Sequence, residues 1–316
     1  MKTRFVAEVS SNHWTAQFRP RSLVDRRRHL ARALAFVDKA AELGCAAVKF
    51  QQFRIRELFA PEALALHARL REREAWELPE EFNVELAARA RERGIAFAST
   101  PFYRSAVDLL APLVDFFKLA SYQVPWTEML AAVARTGKPV VLATGMATLD
   151  EVKRAVGTLR ENGCSDLTLL HCVSLYPTPP AEANLAAIGT LRKALALPTG
   201  WSDHTQNAEV VELAVRRFDA AMVEFHLDLD GQGVEYLGQE DGGQRGHCWL
   251  PGEINWVLRN LERASTGELP RTHPAYGDGR KEPRAAEAHE RAWRSDADGL
   301  RPLLATRRTL SREAVA

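Results

Sequence analysis

The sequence predicts an α/β fold, a (β/α)8 TIM barrel with an irregular C-terminal tail, on the basis of three observations. Eight short and almost continuously apolar runs alternate with amphipathic segments of helical period. Strands of that kind are buried on both faces, which is typical of parallel sheets with helical crossovers. Eight such units in about 265 residues match the usual length of a closed barrel. A doubly wound open sheet is the alternative, but no Gly-x-Gly-x-x-Gly fingerprint follows the first run.

The strands are predicted where apolar, β-rich runs occur, and the helices where apolar residues recur every three or four positions. The predicted strands span residues 4–10, 46–52, 95–100, 115–121, 139–145, 167–173, 197–203 and 220–227. The predicted helices include residues 23–43, 80–93, 149–160, 184–194, 207–217 and 251–263.

Two segments lie outside this alternation. Residues 54–79 form a long excursion after the second strand, and such a segment is either a lid that shapes a pocket or an ordinary solvated helix. From Thr266 onward the sequence is rich in Gly, Pro, Arg and acidic residues and shows no clear period. We therefore expect a barrel domain over residues 1–265 and a C-terminal extension over residues 266–316.

Composition excludes several classes of partner. The 316 residues carry 42 Lys and Arg against 41 Asp and Glu, so the net charge of +1 indicates neither nucleic acid nor an anionic membrane as a partner. The N-terminus lacks the apolar core of a signal peptide, and no stretch approaches 18 uninterrupted apolar residues, so we expect a cytoplasmic protein. Four separated cysteines without a Cys-x-x-Cys pair predict reduced, buried thiols.

One short stretch, Asp228-x-Asp230-x-Gln232-Gly233, resembles the start of a calcium-binding EF-hand loop. The position that should carry a bidentate glutamate is Gln239. The preceding residues form an apolar, β-rich run where an EF-hand needs an amphipathic helix. The calcium interpretation is therefore disfavoured.

Polar residues concentrate where the predicted strands end. In a closed barrel, catalytic side chains gather at the carboxyl ends of the strands, so this coincidence is the strongest positional signal for an active site. The residues concerned are Glu8, Asn12, Lys49, Gln51, Ser99, Thr100, Lys118, Ser121, Thr144, His171, Ser174, Tyr176, Ser202, Asp203, His204 and His226.

Lys49 and Lys118 each interrupt an apolar strand. Because removing an ammonium group from water is costly, either each lysine pairs with a carboxylate or both face a pocket that binds an anion. Two lysines at matching depth favour the anion pocket. Thr100, Ser121 and Ser202 would supply neutral donors, and the set suits a phosphate together with a carboxylate.

His204 and His226 end neighbouring strands and can converge on one divalent metal. The alternative is a pair of hydrogen-bonded histidines near the rim, and the adjacent anion pocket favours the metal. The pairs His171-Cys172 and His247-Cys248 are weaker candidates, because adjacent residues of a strand point to opposite faces.

A series of motifs resembles the N-acetylneuraminate (sialic acid) synthase family over roughly residues 4–227, and the run HCVSLYPTPPAEANL is the most specific of them. In order, the motifs are AEVSSNH, AAVKFQQF, ASTPF, FKLAS, GKPVVLATGMATLDEV, LLHCVSLYPTPPAEANL and GWSDHT.

The resemblance implies a metal-assisted reaction in which phosphoenolpyruvate condenses with an N-acetylmannosamine-like amino sugar. A nine-carbon 2-keto acid and phosphate would be released. The metal would be Mn2+, with Mg2+ or Co2+ as alternatives, and the protein a homodimer. On this resemblance the catalytic residues are Lys49, Lys118, Glu8 and Tyr176, the metal ligands are His204 and His226, and the substrate-binding residues are Asn12, Gln51, Thr100, Ser121, Thr144, Ser174, Ser202, Asp241 and His247.

The chain departs from the family pattern around the acceptor half of the site. Trp14 replaces a small polar or acidic residue, and Ala143 replaces a serine. The loop after His226 also differs, so that Asp241 or His247 would stand in for the family's Asp-His pair. These changes affect the identity of the acceptor sugar more than the phosphoenolpyruvate half.

The C-terminal antifreeze-like domain of the family, which supplies an arginine to the partner subunit's site, is not recognisable in this sequence. Residues 266–316 would then bring Arg294 or Arg301 to the site instead, and truncation after Gly267 should reduce turnover sharply. Two other functions remain open, a metal-dependent pyruvate aldolase and a non-catalytic barrel that binds a sugar or phosphoenolpyruvate. Retention of both lysines and both histidines favours an enzyme.

Overall fold

The protein is described from a computed structural model that covers residues 2–19, 22–237, 246–263 and 269–313. Eight parallel strands close into a barrel in sequence order, with β1 paired to both β2 and β8. The predicted fold class is confirmed. The strands are β1 Arg4–Glu8, β2 Ala47–Gln52, β3 Ala96–Pro101, β4 Phe116–Leu119, β5 Val140–Ala143, β6 Leu167–His171, β7 Thr199–Asp203 and β8 Met222–His226.

Helices cover the outside of the barrel and also form much of the two segments that lie outside the βα alternation. The α-helices are α1 Leu23–Glu42, α2 Ile55–Leu58, α3 Pro61–Leu66, α4 Ala68–Glu72, α5 Phe82–Glu92, α6 Ala106–Leu110, α7 Thr127–Ala134, α8 Leu149–Glu161, α9 Ala187–Leu195, α10 Ala208–Arg216, α11 Pro251–Arg263, α12 Ala288–Ala292 and α13 Leu304–Glu313. No helix in these ranges is long and apolar enough to cross a membrane.

Successive side chains along each strand point alternately into the barrel interior and towards the layer of helices. Side chains at every second position share a face, so Val6 and Glu8 of β1 lie on the same side, as do Glu224 and His226 of β8. A small apolar cluster fills the interior, and a much larger one lies between strands and helices. The interior cluster consists of Val6, Ala47, Val141, Ala143, Leu170, Cys172 and Met222.

Register brings the charged strand residues to one level. Glu8 lies opposite Lys49 of β2 and opposite His226 of β8, while Ser202 of β7 lies opposite Glu224. The interior is therefore apolar at the amino ends of the strands and charged at their carboxyl ends. This gradient places the site at the end of the barrel where catalytic residues of this fold gather.

The C-terminal extension packs over the carboxyl end of the barrel, and its expected irregular character is interrupted by the helices α12 and α13. The Glu287 carboxylate accepts hydrogen bonds from the backbone N–H groups of Met146 and Ser174, at 3.0 and 2.7 Å. Lys281 donates to the carbonyl of Ala147 at 2.7 Å. These contacts join the extension to the loops that follow β5 and β6.

Glu151 has two structural roles in the same region. Its side chain completes a capping box with Thr148 at the start of α8. It also forms ion pairs with Arg291 at 2.9 Å and Arg294 at 3.0 Å. These two ion pairs attach the extension to the start of α8.

All four cysteines are buried and free, as their spacing predicts. The excursion after β2 consists of α2, α3, α4 and a 3-10 turn over Arg73–Trp76. It meets the extension edge to edge, because Arg301 donates its backbone N–H to Leu58 and accepts one from Ala60, at 2.9 and 2.8 Å. Both segments therefore form one continuous rim around the mouth of the barrel.

Candidate active site

A cavity of about 520 Å³ opens at the carboxyl ends of the strands. Three parts of the chain enclose it: the strand ends and the loops that follow them, the excursion over residues 53–76, and the C-terminal extension. Among the residues predicted for the site, those that line it are Lys49, Gln51, Lys118, Ser121, Tyr176, Ser202, His204, His226 and His247.

The floor of the cavity is a network of two lysines and two glutamates. Lys49 is 1% exposed, pairs with Glu8 and donates to the hydroxyl of Thr100 at 3.2 Å. Lys118 pairs with Glu224 at 3.1 Å, and Glu224 also lies 3.9 Å from Lys49. Both alternatives for the lysines therefore hold at once, because each lysine has a carboxylate partner and each faces the cavity.

Burial and ion pairing act in opposite directions on this network. Burial lowers the pKa of Lys49 well below its ordinary value, although Glu224 opposes that shift. Burial also acts to raise the pKa of Glu224, but Lys118 and Lys49 together lower it to about 2. Counted as formal charges, the two carboxylates of Glu8 and Glu224 and the two ammonium groups of Lys49 and Lys118 sum to zero. An anionic substrate bound on this floor would require additional positive charge from another source.

Neutral donors surround the floor. Ser202 donates to Glu224 at 3.2 Å, and Ser121 lies 3.1 Å from the thiol of Cys172. Ser121 also accepts the backbone N–H of Gly145 at 2.8 Å. Gly145 leaves this corner open, because a Cβ there would lie 2.5 Å from the hydroxyl oxygen of Ser174.

Three histidines and one glutamate form the opposite wall. Nδ1 of His204 lies 2.8 Å from the carbonyl of Val173. Because a carbonyl only accepts, Nδ1 carries the proton and Nε2 keeps its lone pair. The ring of His226 lies 5.4 Å from that of His204 and 4.2 Å from that of His247. Glu235 approaches Nδ1 of His226 at 3.2 Å.

Burial sets the protonation of this wall. Burial, with a smaller contribution from His226, lowers the pKa of His204 to about 4. Burial, with a smaller contribution from Lys49, lowers the pKa of His226 to about 3. Burial likewise lowers the pKa of His247. At neutral pH the three imidazoles are uncharged, which is the form that binds metals.

Tyr176 packs against the histidine wall, with its ring 4.5 Å from His204 and 4.7 Å from His247. Burial raises the pKa of its hydroxyl, so the group remains a proton donor throughout the physiological range. The ring also excludes water from one side of the histidines.

Other predicted residues lie next to the cavity without lining it. Glu8 forms an ion pair with Lys49, and the hydroxyl of Thr100 accepts a hydrogen bond from the same ammonium group. The hydroxyl of Thr144 donates to the carbonyl of Leu170 at 3.0 Å. Ser174 is buried and anchored through its backbone N–H to the extension. Asp241 lies outside the described residues.

Asn12 holds the loop after β8 in place. Its side-chain oxygen accepts the backbone N–H groups of Glu235 and Tyr236, both at 3.1 Å. Its amide donates to the carbonyl of Leu227 at 3.0 Å and to the thiol of Cys248 at 3.2 Å. Asn12 thus positions residues on both sides of the loop.

Two of the sequence departures have clear structural settings. Trp14 packs against Phe18 and His29, with ring distances of 5.4 and 5.1 Å, and is not among the residues that line the described cavity. Ala143 does line it. The calcium-like aspartates Asp228 and Asp230 both pair with Arg32, at 2.9 and 2.8 Å, so one guanidinium bridges the two carboxylates.

The outer end of the cavity belongs to the extension and the loop after β4. The guanidinium of Arg301 lies 4.1 Å from the ring of Tyr122 and 5.1 Å from that of Phe102. The hydroxyl of Tyr122 donates to Glu290. Of the two arginines considered from the sequence, Arg301 lines the cavity, whereas Arg294 pairs with Glu151.

Glu224, Glu235, Tyr122 and Glu290 were missing from the sequence prediction. Glu224 carried a usable signal, since it is an acid inside an apolar strand and lies two residues before His226 on the same face. The other three carried no comparable signal, because they lie outside the strands.

Fold and site together define a barrel enzyme with a charged floor and a histidine wall at the carboxyl ends of its strands. The NeuB family model matches residues 36–237. The chain therefore belongs to the NeuB family, and the resemblance to sialic acid synthases is confirmed at that level.

Named relatives are synthases of different sugar acids. The N,N'-diacetyllegionaminic acid synthase of Campylobacter jejuni is 33% identical over 72% of this chain and 68% of its own length. An uncharacterized protein of Methanocaldococcus jannaschii is 41% identical over 61% of this chain and 56% of its own length. The chain thus spans between about half and two thirds of the length of these relatives.

A solved structure extends the comparison to three dimensions. The crystal structure of an N-acetylneuraminic acid synthetase from Leptospira borgpetersenii, in complex with citrate, superposes with a TM-score of 0.71. It is 28% identical, and the match covers 92% of this chain and 90% of that one.

Proposed function

We propose that this enzyme condenses phosphoenolpyruvate with an N-acetylated amino sugar aldehyde to give a sialic-acid-like nine-carbon 2-keto acid and phosphate. The observation that carries the proposal is the position of Lys49 and Lys118 on the floor of the same cavity whose wall contains His204 and His226. An anion site beside a metal-type donor set suits one anionic substrate and one polarisable carbonyl.

The floor would bind phosphoenolpyruvate. Lys49 and Lys118 offer ammonium groups to its phosphate and carboxylate, with Ser121 and Ser202 as neutral donors around them. Because Glu8 and Glu224 balance the lysines, the charge of the bound substrate would be offset chiefly by a divalent cation next to the floor. Charge balance therefore supports a metal-dependent reaction.

The histidine wall fits such a cation. His204 presents Nε2 with its lone pair, and the low pKa values of His204 and His226 keep both imidazoles neutral. Imidazole nitrogen is a donor that divalent transition ions accept more readily than Mg2+ does, and Mn2+ is the proposed ion, with Co2+ or Mg2+ as alternatives. When bound, the metal would polarise the aldehyde of the acceptor as a Lewis acid.

The proposed reaction forms one carbon–carbon bond and breaks one carbon–oxygen bond. Carbon 3 of phosphoenolpyruvate forms a bond to the aldehyde carbon, whose oxygen takes a proton and becomes a hydroxyl group. Water adds at carbon 2, and the bond between carbon 2 and the bridging oxygen breaks to release phosphate and leave a ketone. Lys49 and Lys118 would hold the phosphate and carboxylate in place, and the hydroxyl of Tyr176 would donate a hydrogen bond within the closed cavity.

The outer end would bind the acceptor. Arg301, Tyr122 and Glu290 offer a cation, an aromatic face and a carboxylate there, a combination that suits the hydroxyl and acetamido groups of an amino sugar. The acceptor is proposed to be N-acetylmannosamine or a close relative, and the different products named for the related synthases justify testing a panel.

The test is phosphate release by the purified protein with Mn2+, phosphoenolpyruvate and a panel of N-acetylated hexosamines. We expect release of one phosphate for each 2-keto acid formed, and none without an acceptor. Cleavage of a keto acid to pyruvate without phosphate would support the aldolase instead. Binding of phosphoenolpyruvate with no turnover across the panel would support the non-catalytic barrel.

Chelation provides a second test of the proposal. Treatment with EDTA should abolish phosphate release, and Mn2+ added in excess should restore it. The homodimer expected from the resemblance stays a prediction, which light scattering of the purified protein would check.

A further inference from the structure

A compact group of potential ligands lies beside His226, in the loop after β8. His226, Glu235, His247 and Cys248 each offer one donor atom, and these atoms all lie within 4.8 Å of one another. Three of the four, Glu235, His247 and Cys248, are separate from the pair His204 and His226 that the resemblance implies.

Distances within the group match those between ligands of one metal ion. Glu235 places one carboxylate oxygen 3.2 Å from Nδ1 of His226 and the other 3.8 Å from Nε2 of His247. Two donors that are each about 2.1 Å from a metal lie about 3.0 Å apart at a right angle and about 3.4 Å apart at a tetrahedral angle. The 3.2 Å separation already lies in that range, and the 3.8 Å separation needs a contraction of about 0.4 Å to reach it.

His247 supplies an independent indication. Its side chain is 4% exposed, and its Nε2 atom is buried with no hydrogen-bond partner in the described part of the chain. A buried polar atom without a partner is costly, so such atoms require an explanation. An ion bound between His247 and Glu235 would give Nε2 of His247 a partner.

The loop holds these donors in a fixed arrangement. Asn12 binds the backbone of Glu235 on one side and the thiol of Cys248 on the other. Trp249 donates its backbone N–H to the carbonyl of His226 at 2.8 Å, which ties the end of the loop to β8. Asn12, in the loop after β1, and His226, at the end of β8, therefore hold Glu235 and the residues directly after His247 in place before any ion binds.

We infer that Glu235 and His247 join His226 as protein ligands of the metal. With His204, the proposed ligand set then contains three histidines and one carboxylate. This inference rests on the proposed metal-dependent function and specifies its ion site. Mixed nitrogen and carboxylate donors select a divalent transition ion over Mg2+ or Ca2+. Cys248 holds the carboxylate, since its thiol lies 3.6 Å from Glu235.

The competing arrangement has Glu235 outside the coordination sphere, accepting a hydrogen bond from Nδ1 of His226. Such outer partners tune metal affinity by about 10- to 100-fold, so affinity alone does not separate the two arrangements. The number of coordinated nitrogen atoms does, because His247 is a ligand in one arrangement only.

Binding of Mn2+ to the full chain, without substrates, tests the inference. The loss of the free-ion EPR signal measures affinity, and pulsed EPR of the bound ion counts coordinated imidazole nitrogens. We expect three nitrogens in the wild type and two in His247→Gln, and a loss of Mn2+ affinity of at least about 100-fold in Glu235→Gln. Glu235→Asp should recover part of that affinity.

Glu290→Gln is the matched control, because it removes the same charge from a glutamate at the outer end of the same cavity. It should change Mn2+ affinity by less than about threefold, since the Coulomb interaction falls with distance and is screened by salt. Circular dichroism on each variant identifies any that fails to fold. If Glu235→Gln does not fold, the test rests on His247→Gln and Glu235→Asp.

Two nitrogens in both the wild type and His247→Gln would overturn the inference, as would equal affinities in Glu235→Gln and Glu290→Gln. A thiolate-to-metal charge-transfer band with Co2+ that disappears in Cys248→Ser would also overturn this ligand set. These readouts are independent of turnover. Absence of phosphate release with three coordinated nitrogens would reject the proposed function and leave the ligand set standing.

Discussion

The floor and the rim of the cavity are built in different ways. The floor comes from strand residues at fixed register, with Lys49, Lys118 and Glu224 held in ion pairs inside the barrel. The rim comes from the excursion after β2 and from the C-terminal extension, which meet through backbone hydrogen bonds of Arg301 with Leu58 and Ala60. The floor thus depends on the fold itself, and the rim depends on two segments that lie outside the βα alternation.

This difference separates two parts of the proposed function. A floor fixed by barrel register suits the substrate that related synthases would share, namely phosphoenolpyruvate. A rim that rests on the packing of connecting segments suits the part that differs between them, namely the acceptor sugar. Changes in the floor should therefore affect phosphoenolpyruvate, and changes in the rim should affect the acceptor.

The largest effect is expected for Lys118→Met. The change removes an ammonium group from the floor and leaves Glu224 with one lysine, so kcat/KM for phosphoenolpyruvate should fall by about 100- to 1,000-fold. Steady-state kinetics of phosphate release measures it. Lys153→Met is the control, since Lys153 is exposed and pairs with Asp150 along α8. Equal kinetics in the two variants would contradict the role of the floor.

A rim substitution should act on the acceptor instead. Arg301→Ala removes a buried guanidinium from the outer end of the cavity and should raise KM for the acceptor about 10-fold or more, with little change in KM for phosphoenolpyruvate.

Arg294→Ala is the matched comparison for Arg301→Ala, because Arg294 lies in the same extension and pairs with Glu151 away from the cavity. It should lower the melting temperature and leave both KM values unchanged. If Arg301→Ala raised KM for phosphoenolpyruvate and not for the acceptor, the division between floor and rim would be wrong.

Gly145→Ala tests the corner between floor and wall. The added Cβ would lie 2.5 Å from the hydroxyl oxygen of Ser174 and 3.0 Å from that of Ser121, so Ser174 must move and the contact with Ser121 becomes tight. We expect KM for phosphoenolpyruvate to rise by several-fold, as kinetics would measure. In Gly157→Ala, within α8, the new Cβ meets no atom of the described residues within 4 Å, so the change should stabilise the protein by about 0.5–1 kcal/mol with unchanged kinetics.

The last prediction concerns stability against acid rather than kinetics. Burial, aided by Lys281, lowers the pKa of His171 to about 3, while an unfolded histidine takes up a proton near pH 6.5. Between those values the unfolded state binds a proton that the folded state does not. The contribution of His171 is therefore complete above about pH 6.5 and is lost as the pH falls towards 3, by about 1.4 kcal/mol for each pH unit.

Urea unfolding of His171→Asn at pH 7, 6 and 5 checks this slope. The variant should be less stable at pH 7 but should lose less stability between pH 6 and 5 than the wild type does. The same replacement at His289, which is exposed, should leave the slope unchanged. An unchanged slope in His171→Asn would contradict the assignment.

The sequence predicts the floor better than the rim for a physical reason. Strand alternation and apolar runs act over a few residues, so all eight strands were predicted in place and Lys49 and Lys118 stood out against their neighbours. Glu224 stood out in the same way but was missed. Local patterns are therefore sufficient for residues whose positions the strands determine.

Residues positioned by distant contacts gave no such signal. Glu235 is held by Asn12, more than 220 residues earlier in the chain, and Tyr122 bonds to Glu290 in the extension. No local period encodes those hydrogen bonds. Arg301 was named as one of two candidates, and only packing against Tyr122 and Phe102 distinguishes it from Arg294.

The most direct test of the central claim uses phosphoenolpyruvate labelled with ¹⁸O at the bridging oxygen. The labelled substrate is incubated with the protein, Mn2+ and an amino sugar that supports turnover, and the phosphate and keto acid are analysed by mass spectrometry. Cleavage between carbon 2 and the bridging oxygen predicts that the label appears in the released phosphate, in equal amount to the new keto acid. Label retained in the organic product, or keto acid formed without phosphate, would contradict the proposed reaction.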